Sequence, residues 1–299
     1  MYTKYYGLKE RPFEISPDPK YFYMGENHRE ALAHLIYAVE AGKGFSVITG
    51  EVGTGKTTIV QILLKRMDGS VRTAHIFNPK MSAIDLLRYI CSDLGVKIDP
   101  AISKGQVLAK LHQYLLECYT RSEKVVLMID EAQALTPALL EEIRLLTNLE
   151  TPRSKLLQVI LLGQPELDKI LMDYSYRQLK QRITVRFQLN RLNKYETGEY
   201  VRHRLRGAGS RNMDLFDKGA VNRIYEYSKG IPRIINTVCD NALLTGYATE
   251  KKIIDKTIIK DVICSLENQC SASNHYKKAM LAMVLIVFWG MVYYFLERF

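Results

Sequence analysis

Residues 50–58 read GEVGTGKTT, directly after an apolar run, GFSVITG, at 44–50. The segment fits G-x-x-x-x-G-K-[ST] at every fixed position. Glycine at those places lets the backbone curl until successive N–H groups point at phosphate oxygens. Lys56 is then placed to set its ammonium on the β and γ phosphates, and Thr57 to offer its hydroxyl to Mg²⁺. The helix that follows presents its positive end to the same anion. Gly50, Glu51, Val52, Gly53, Thr54, Gly55, Lys56, Thr57 and Thr58 are therefore the candidate nucleotide-binding residues. Because the loop must join a strand to a helix, it commits this part of the chain to an α/β fold.

The hydrophobic pattern agrees. Strands are predicted at 44–50, 71–77, 124–130, 156–163 and 183–189, and helices at 26–42, 56–67, 82–94, 105–120 and 137–149. The run KVVLMID at 124–130 is apolar throughout, as in a parallel strand covered on both faces. Alternating strand and helix predicts a doubly wound parallel sheet. After Leu192 only helical periodicity continues, at 194–206, 217–228, 232–247 and 256–266. The expected domains are an α/β nucleotide-binding domain at 1–190 with a Pro- and aromatic-rich N-terminal loop, and a helical domain at 191–268. A linker at 269–278 precedes an apolar segment at 279–296.

VVLMIDEAQ, 125–133, supplies the second half of a site. An apolar strand ending in two carboxylates is costly unless a cation is near. Asp130 is expected to help hold Mg²⁺, and Glu131 to orient and polarise the attacking water. That pair favours hydrolysis over a nucleotide switch. Gln164, at the end of LLQVILLG, either reaches the γ-phosphate or its water, or simply starts a helix in QPEL. Arg177, Arg182 and Arg186 are candidates to stabilise transition-state charge in a neighbouring subunit, with Arg182 preferred because it lies just before the last strand. Arg233 sits in the first turn of a helix, where a cation opposes the helix dipole; an anionic partner, ATP or a local carboxylate, would offset that.

The net charge of +10 suits nucleic acid, anionic lipid or a polyanionic ligand. Residues 177–211 hold ten Arg or Lys against two Glu, Glu196 and Glu199. This stretch reads as a solvated helical surface, a subunit interface facing ATP phosphates, or a nucleic-acid contact. The five cysteines, Cys91, Cys118, Cys239, Cys264 and Cys270, lack metal-site spacing and read as reduced thiols.

From Ala279 to Leu296 no residue is charged. Eighteen helical residues reach about 27 Å, close to a hydrocarbon core of about 30 Å. Lys277 and Lys278 precede the segment, whereas Glu297 and Arg298 follow it. The expectation is a single-pass protein of the bacterial inner membrane with its nucleotide-binding part in the cytoplasm.

With these pieces in order, the sequence resembles the AAA+ ATPases, and more narrowly the general secretion pathway protein A family and its relatives in exopolysaccharide and exosortase loci. The residues that carry the resemblance are YYGLKERPFEISPDPKYFY, GEVGTGKTT, IDEAQAL, LLGQPEL, LKQRITVRFQL and GIPRIIN, and it runs over about residues 1–266. It implies a RecA-like P-loop core with a helical lid, Walker A residues at Gly50–Thr57 and Walker B residues at Asp130 and Glu131. By position Gln164 takes the sensor 1 place, Arg182 the arginine finger and Arg233 sensor 2, with adenine held by Phe13 and Ile15. It also implies a homo-oligomeric ring, commonly a hexamer, acting with envelope secretion or polysaccharide-export proteins. Gln164 departs from the Asn often found at sensor 1. Because the chain stops three residues after Leu296, the peptidoglycan-binding domain of many relatives is not carried over. A nucleic-acid-linked ATPase, similar to those of transposition or replication initiation, is the alternative. A nucleotide-gated scaffold that hydrolyses little is the third reading, and Glu131 argues against it.

Overall fold

The computed structural model describes residues 1–15, 18–67, 69, 71–152 and 154–267. In chain order, α1 (Tyr2–Tyr5) is followed by α2 (Glu26–Glu40), β1 (Phe45–Gly50), α3 (Lys56–Arg66), β2 (Val71–Ile76), α4 (Ala83–Asp93) and α5 (Lys104–Thr120). Then come β3 (Lys124–Ile129), α6 (Pro137–Leu146), β4 (Leu157–Gly163), α7 (Pro165–Met172), α8 (Arg177–Lys180) and β5 (Val185–Leu189). Four helices complete the described part: α9 (Lys194–Gly207), α10 (Lys218–Ser228), α11 (Pro232–Ala248) and α12 (Lys256–Leu266). The chain divides into two compact units: residues 16–192 with 231–233, and residues 1–15, 193–230 and 234 onward.

The first unit is the α/β body. All five predicted strands are present and every pairing is parallel, in the order β2-β3-β4-β1-β5. The central strands explain the continuous apolar runs, since β1 and β4 are buried at every position and β3 at all but Lys124. A strand covered on both faces has no side that can be polar. Alternate residues feed two cores. Phe45, Val47, Leu127, Ile129 and Leu161 meet Leu86, Leu111 and Leu140 from α4, α5 and α6 on one face. Ile48, Val126, Met128, Ile160 and Leu162 meet Leu32, Leu35, Ile59 and Leu63 from α2 and α3 on the other. Each such aliphatic side chain contributes about 1.5–3 kcal/mol by leaving water.

Local signals set the helix starts. Ser103 and Gln106 form a reciprocal capping box at α5. Thr136 accepts from Leu139 N–H ahead of Pro137 in α6. Such caps contribute about 1 kcal/mol each. Because all strands are parallel, their C-terminal ends share one edge of the sheet. Along it β4 lies between β3 and β1, so the ends of β3 and β1 are roughly 10 Å apart at about 4.8 Å per strand.

The second unit is helical. Its core includes Tyr200, Leu205, Ile224, Val238, Leu243, Ile254 and Ile259, all nearly or fully buried. Asn193 and Glu196 form a capping box at the start of α9. Residues 1–15, expected with the sheet, pack with these helices instead. The reason is a set of polar anchors. The Arg204 guanidinium donates to Pro12 O and Glu14 O, each at 2.6 Å, and Tyr2 Oη donates to Asp240. Phe13 stands edge-on to Phe216 at 5.8 Å between ring centroids.

Among the described residues no helix is long and apolar enough to cross a membrane. The longest, α5 and α11, have 17 residues each and carry Lys104, Lys110 and Glu117, or Arg233 and Asp240. This corrects the expected single-pass placement in the inner membrane with a cytoplasmic ATPase domain. The segment at 279–296 on which it rested, like the linker at 269–278, lies outside the described residues. Cys91, Cys118 and Cys239 are free and buried, whereas Cys264 is disulfide-bonded, which corrects the reading of every cysteine as a thiol.

Candidate active site

The loop after β1 folds as its glycines dictate. Gly53 and Gly55 have φ of +82° and +99°, a region that side chains with a Cβ avoid. Space is a second constraint at Gly53, where a Cβ would fall 2.5 Å from the Cβ of Arg233. The α3 helix starts without a side-chain cap and without an acidic residue in its first turn. Its opening N–H groups and positive dipole end are thus left for an anion.

Lys56 is 7 % exposed and donates to Gly50 O at 2.8 Å and Glu51 O at 3.0 Å. Burial lowers its pKa, and the nearby carboxylates Asp130, Glu131 and Glu51 oppose that shift. A desolvated ammonium resting on loop carbonyls is suited to a stronger anionic partner, which a nucleotide phosphate would provide.

Thr57 Oγ1 donates to Asp130 Oδ2 at 2.5 Å, which joins the end of β3 to the first turn of α3. Asp130 is 8 % exposed, and its N–H donates to Ile76 O at 2.8 Å. One hydroxyl and one carboxylate in contact are hard oxygen donors. They fit Mg²⁺, which is usually held by one or two carboxylates with the remaining places filled by phosphates and water.

Glu131 is exposed and has φ of +50°. Its Oε2 accepts from Gln164 Nε2 at 3.1 Å and from Gln133 Nε2 at 2.5 Å. Gln164 is also the residue before Pro165 that caps α7. Gln164 therefore starts a helix, and its side chain meets the Glu131 carboxylate.

The three arginines differ in their partners. Arg186 is committed to Asp168, with donor distances of 3.0 and 2.6 Å. Arg177 is exposed, lies over the Tyr174 ring at 4.7 Å and donates to that tyrosine's hydroxyl. Arg182 is half-buried and donates to Thr147 Oγ1 at 2.7 Å. Arg233 is exposed, with its Cβ beside Gly53. In the helical unit, Phe13 is 1 % exposed against Phe216, whereas Ile15 is 56 % exposed. A ring so enclosed serves the core of its own unit, and in this conformation it has no open face for a base.

Sequence reasoning missed three neighbours of the loop. His28, from α2, donates from Nε2 to Thr54 O at 2.9 Å. The Phe22 ring lies 3.2 Å from where a Cβ on Gly55 would be, and edge-on to His28 at 5.3 Å. Arg191 pairs with Glu51 at 2.7 Å. His28 had a signal: it continues the buried face of Leu32, Leu35 and Val39 one turn toward the N-terminus.

Known proteins resemble this chain in sequence and in fold. Residues 39–171 match the AAA domain family model. General secretion pathway protein A of Aeromonas hydrophila is 45 % identical over 248 residues, which cover 83 % of this chain and 45 % of that protein. The chain thus spans about half the length of that relative. Solved structures share the fold at lower identity. The ORC2 protein of Aeropyrum pernix, in ADPNP–ADP complexes, has a TM-score of 0.62 at 17 % identity, over 85 % of this chain and 71 % of that one. Drosophila ORC bound to DNA has a TM-score of 0.65 at 20 % identity, over 85 % of this chain and 64 % of that one. Cdc6p of Pyrobaculum aerophilum has a TM-score of 0.61 at 17 % identity, over 81 % and 67 %. With an AAA domain at 39–171 and 45 % identity over 83 % of its length, the chain belongs to the AAA+ ATPases as a relative of general secretion pathway protein A.

Proposed function

We propose that the chain binds ATP with Mg²⁺ at Gly50–Thr58 and hydrolyses it, working as a homo-oligomeric ring that energises a cell-envelope secretion machine. The observation that carries the reading is a run of hydrogen bonds across the C-terminal ends of β1, β3 and β4: Thr57 donates to Asp130, which also accepts from the Glu131 N–H, and Gln164 donates to Glu131. In this reading Lys56 and the loop N–H groups bind the phosphates, and Thr57 with Asp130 would hold Mg²⁺. The metal, when bound, neutralises charge on the phosphate oxygens. Glu131 takes a proton from the attacking water, and Gln164 fixes that water beside it. Arg182 would serve the neighbouring subunit's site, and Arg233 would meet the phosphates from beside Gly53. A hexamer is the expected ring. The secretion role is supported by the relative's name and by its 45 % identity.

A nucleic-acid-linked ATPase is the second reading, favoured by the basic stretch at 177–211. Several of its cations are engaged within the chain: Arg186 with Asp168, Arg191 with Glu51, Arg202 with Glu199, and Arg204 with backbone carbonyls. Fewer remain for phosphate contacts, and affinity for nucleic acid depends on their number.

Substituting Lys56→Ala tests the nucleotide assignment. It is expected to weaken ATP binding by at least about a hundredfold, as loss of a charge-assisted contact of roughly 3 kcal/mol implies. A fluorescent ATP analogue titrated into both proteins measures this. Unchanged affinity would contradict the site.

A further inference from the structure

We infer that Gln133 is a positioning residue for the reaction proposed above, and the inference rests on that reading. Its amide makes two bonds of opposite sense. Nε2 donates to Glu131 Oε2 at 2.5 Å, and Oε1 accepts from the backbone N–H of Gln164 at 3.0 Å. The partners fix which end of the amide is which, because a carboxylate only accepts and an N–H only donates. Gln164 then closes the ring by donating from Nε2 to the same Glu131 oxygen at 3.1 Å. The turn after β3, with Glu131 and Gln133, and the residue after β4 are thereby clamped together.

Two further features match this role. Glu131 is exposed, so packing around its side chain restrains it little, and the amides are what orient it. Both amides converge on Oε2, which leaves Oε1 as the oxygen to receive a proton. Gly163 makes the approach possible: a Cβ there would lie 3.2 Å from Gln133 Oε1 and 2.6 Å from a Leu167 methyl. Gln133 therefore does two separable things. It orients the carboxylate, and it holds the turn that carries Gln164.

Two substitutions separate them. Gln133→Glu keeps an oxygen for the Gln164 N–H and replaces the donor facing Glu131 with a like charge. Gln133→Met keeps the length and loses both bonds. In steady-state ATP turnover by the full chain, kcat is expected to fall about ten- to a hundredfold in both variants, since small misplacements of a reacting group cost that much. KM and the affinity for a non-hydrolysable ATP analogue are expected to stay within about twofold of the parent. A Gln133→Glu protein with parental kcat would overturn the inference, because the bond to Glu131 would then be without consequence. So would loss of analogue binding in step with kcat, which would mark Gln133 as merely structural. A parent protein without ATP turnover would sink the hydrolysis reading itself, and the inference with it. A parent that turns over ATP alongside unaffected variants would remove the inference alone.

Discussion

The nucleotide loop is shaped as much by what surrounds it as by what it contains. Gly53 needs its backbone at φ of +82°, and the Cβ of Arg233 fills the space a side chain would take. A Gly53→Ala substitution therefore meets two penalties: about 1–2 kcal/mol for an L-residue in the left-handed region, and displacement of Arg233. ATP affinity is expected to fall by at least about tenfold, read by calorimetric titration. An alanine protein that binds ATP as tightly as the parent would contradict the contact. Lys56, Thr57, Asp130 and Glu131 were legible in the sequence because their chemistry is written in contiguous residues. Phe13 was not. Its aromatic character was plain, but its partner, Phe216, comes from the far end of the chain, and no local pattern reports that pairing. Gln133 escaped for a similar reason: its role depends on a backbone N–H at Gln164, brought near by the adjacency of β3 and β4.

At the scale of elements, the strands were the most readable. Central β1, β3 and β4 announce themselves as apolar runs because both of their faces are covered. The edge strand β5 has only its first and last residues buried, and it starts two residues later than its periodicity suggested. Helix α7 was one of two readings of QPEL, because its eight residues are too few to display a helical period clearly. It matters for the site because Asp168, on α7, accepts from Thr49 Oγ1 at 2.6 Å and from Arg186. One carboxylate thus ties α7 to β1, just before the phosphate loop, and to β5. An Asp168→Ala substitution leaves the Thr49 hydroxyl and the Arg186 guanidinium without that partner. The group is partly exposed, so the expected loss of stability is about 1–2 kcal/mol, at the lower end for a hydrogen-bonded charge pair. Urea unfolding measures it, and an unchanged midpoint would show that α7 is not held in this way.

At the scale of the whole molecule, the division into an α/β body and a helical unit follows from the change in periodicity after Leu192. The assignment of residues 1–15 does not, because composition alone says that an aromatic segment is ordered but not which core it joins. Hydropathy at 279–296 suggested a membrane placement that no described helix supplies. What holds the molecular account together is the claim that Glu131 activates water for ATP hydrolysis at a site that binds ATP without it. A Glu131→Gln protein keeps size and hydrogen-bonding capacity at that position and loses the base. The most direct test measures ATP turnover and ATP affinity together in the parent and in this variant. Turnover is expected to fall by about a hundred- to ten-thousandfold, the contribution typical of a general base, with affinity equal or tighter. Undiminished turnover in the variant, or none in the parent, would contradict the account.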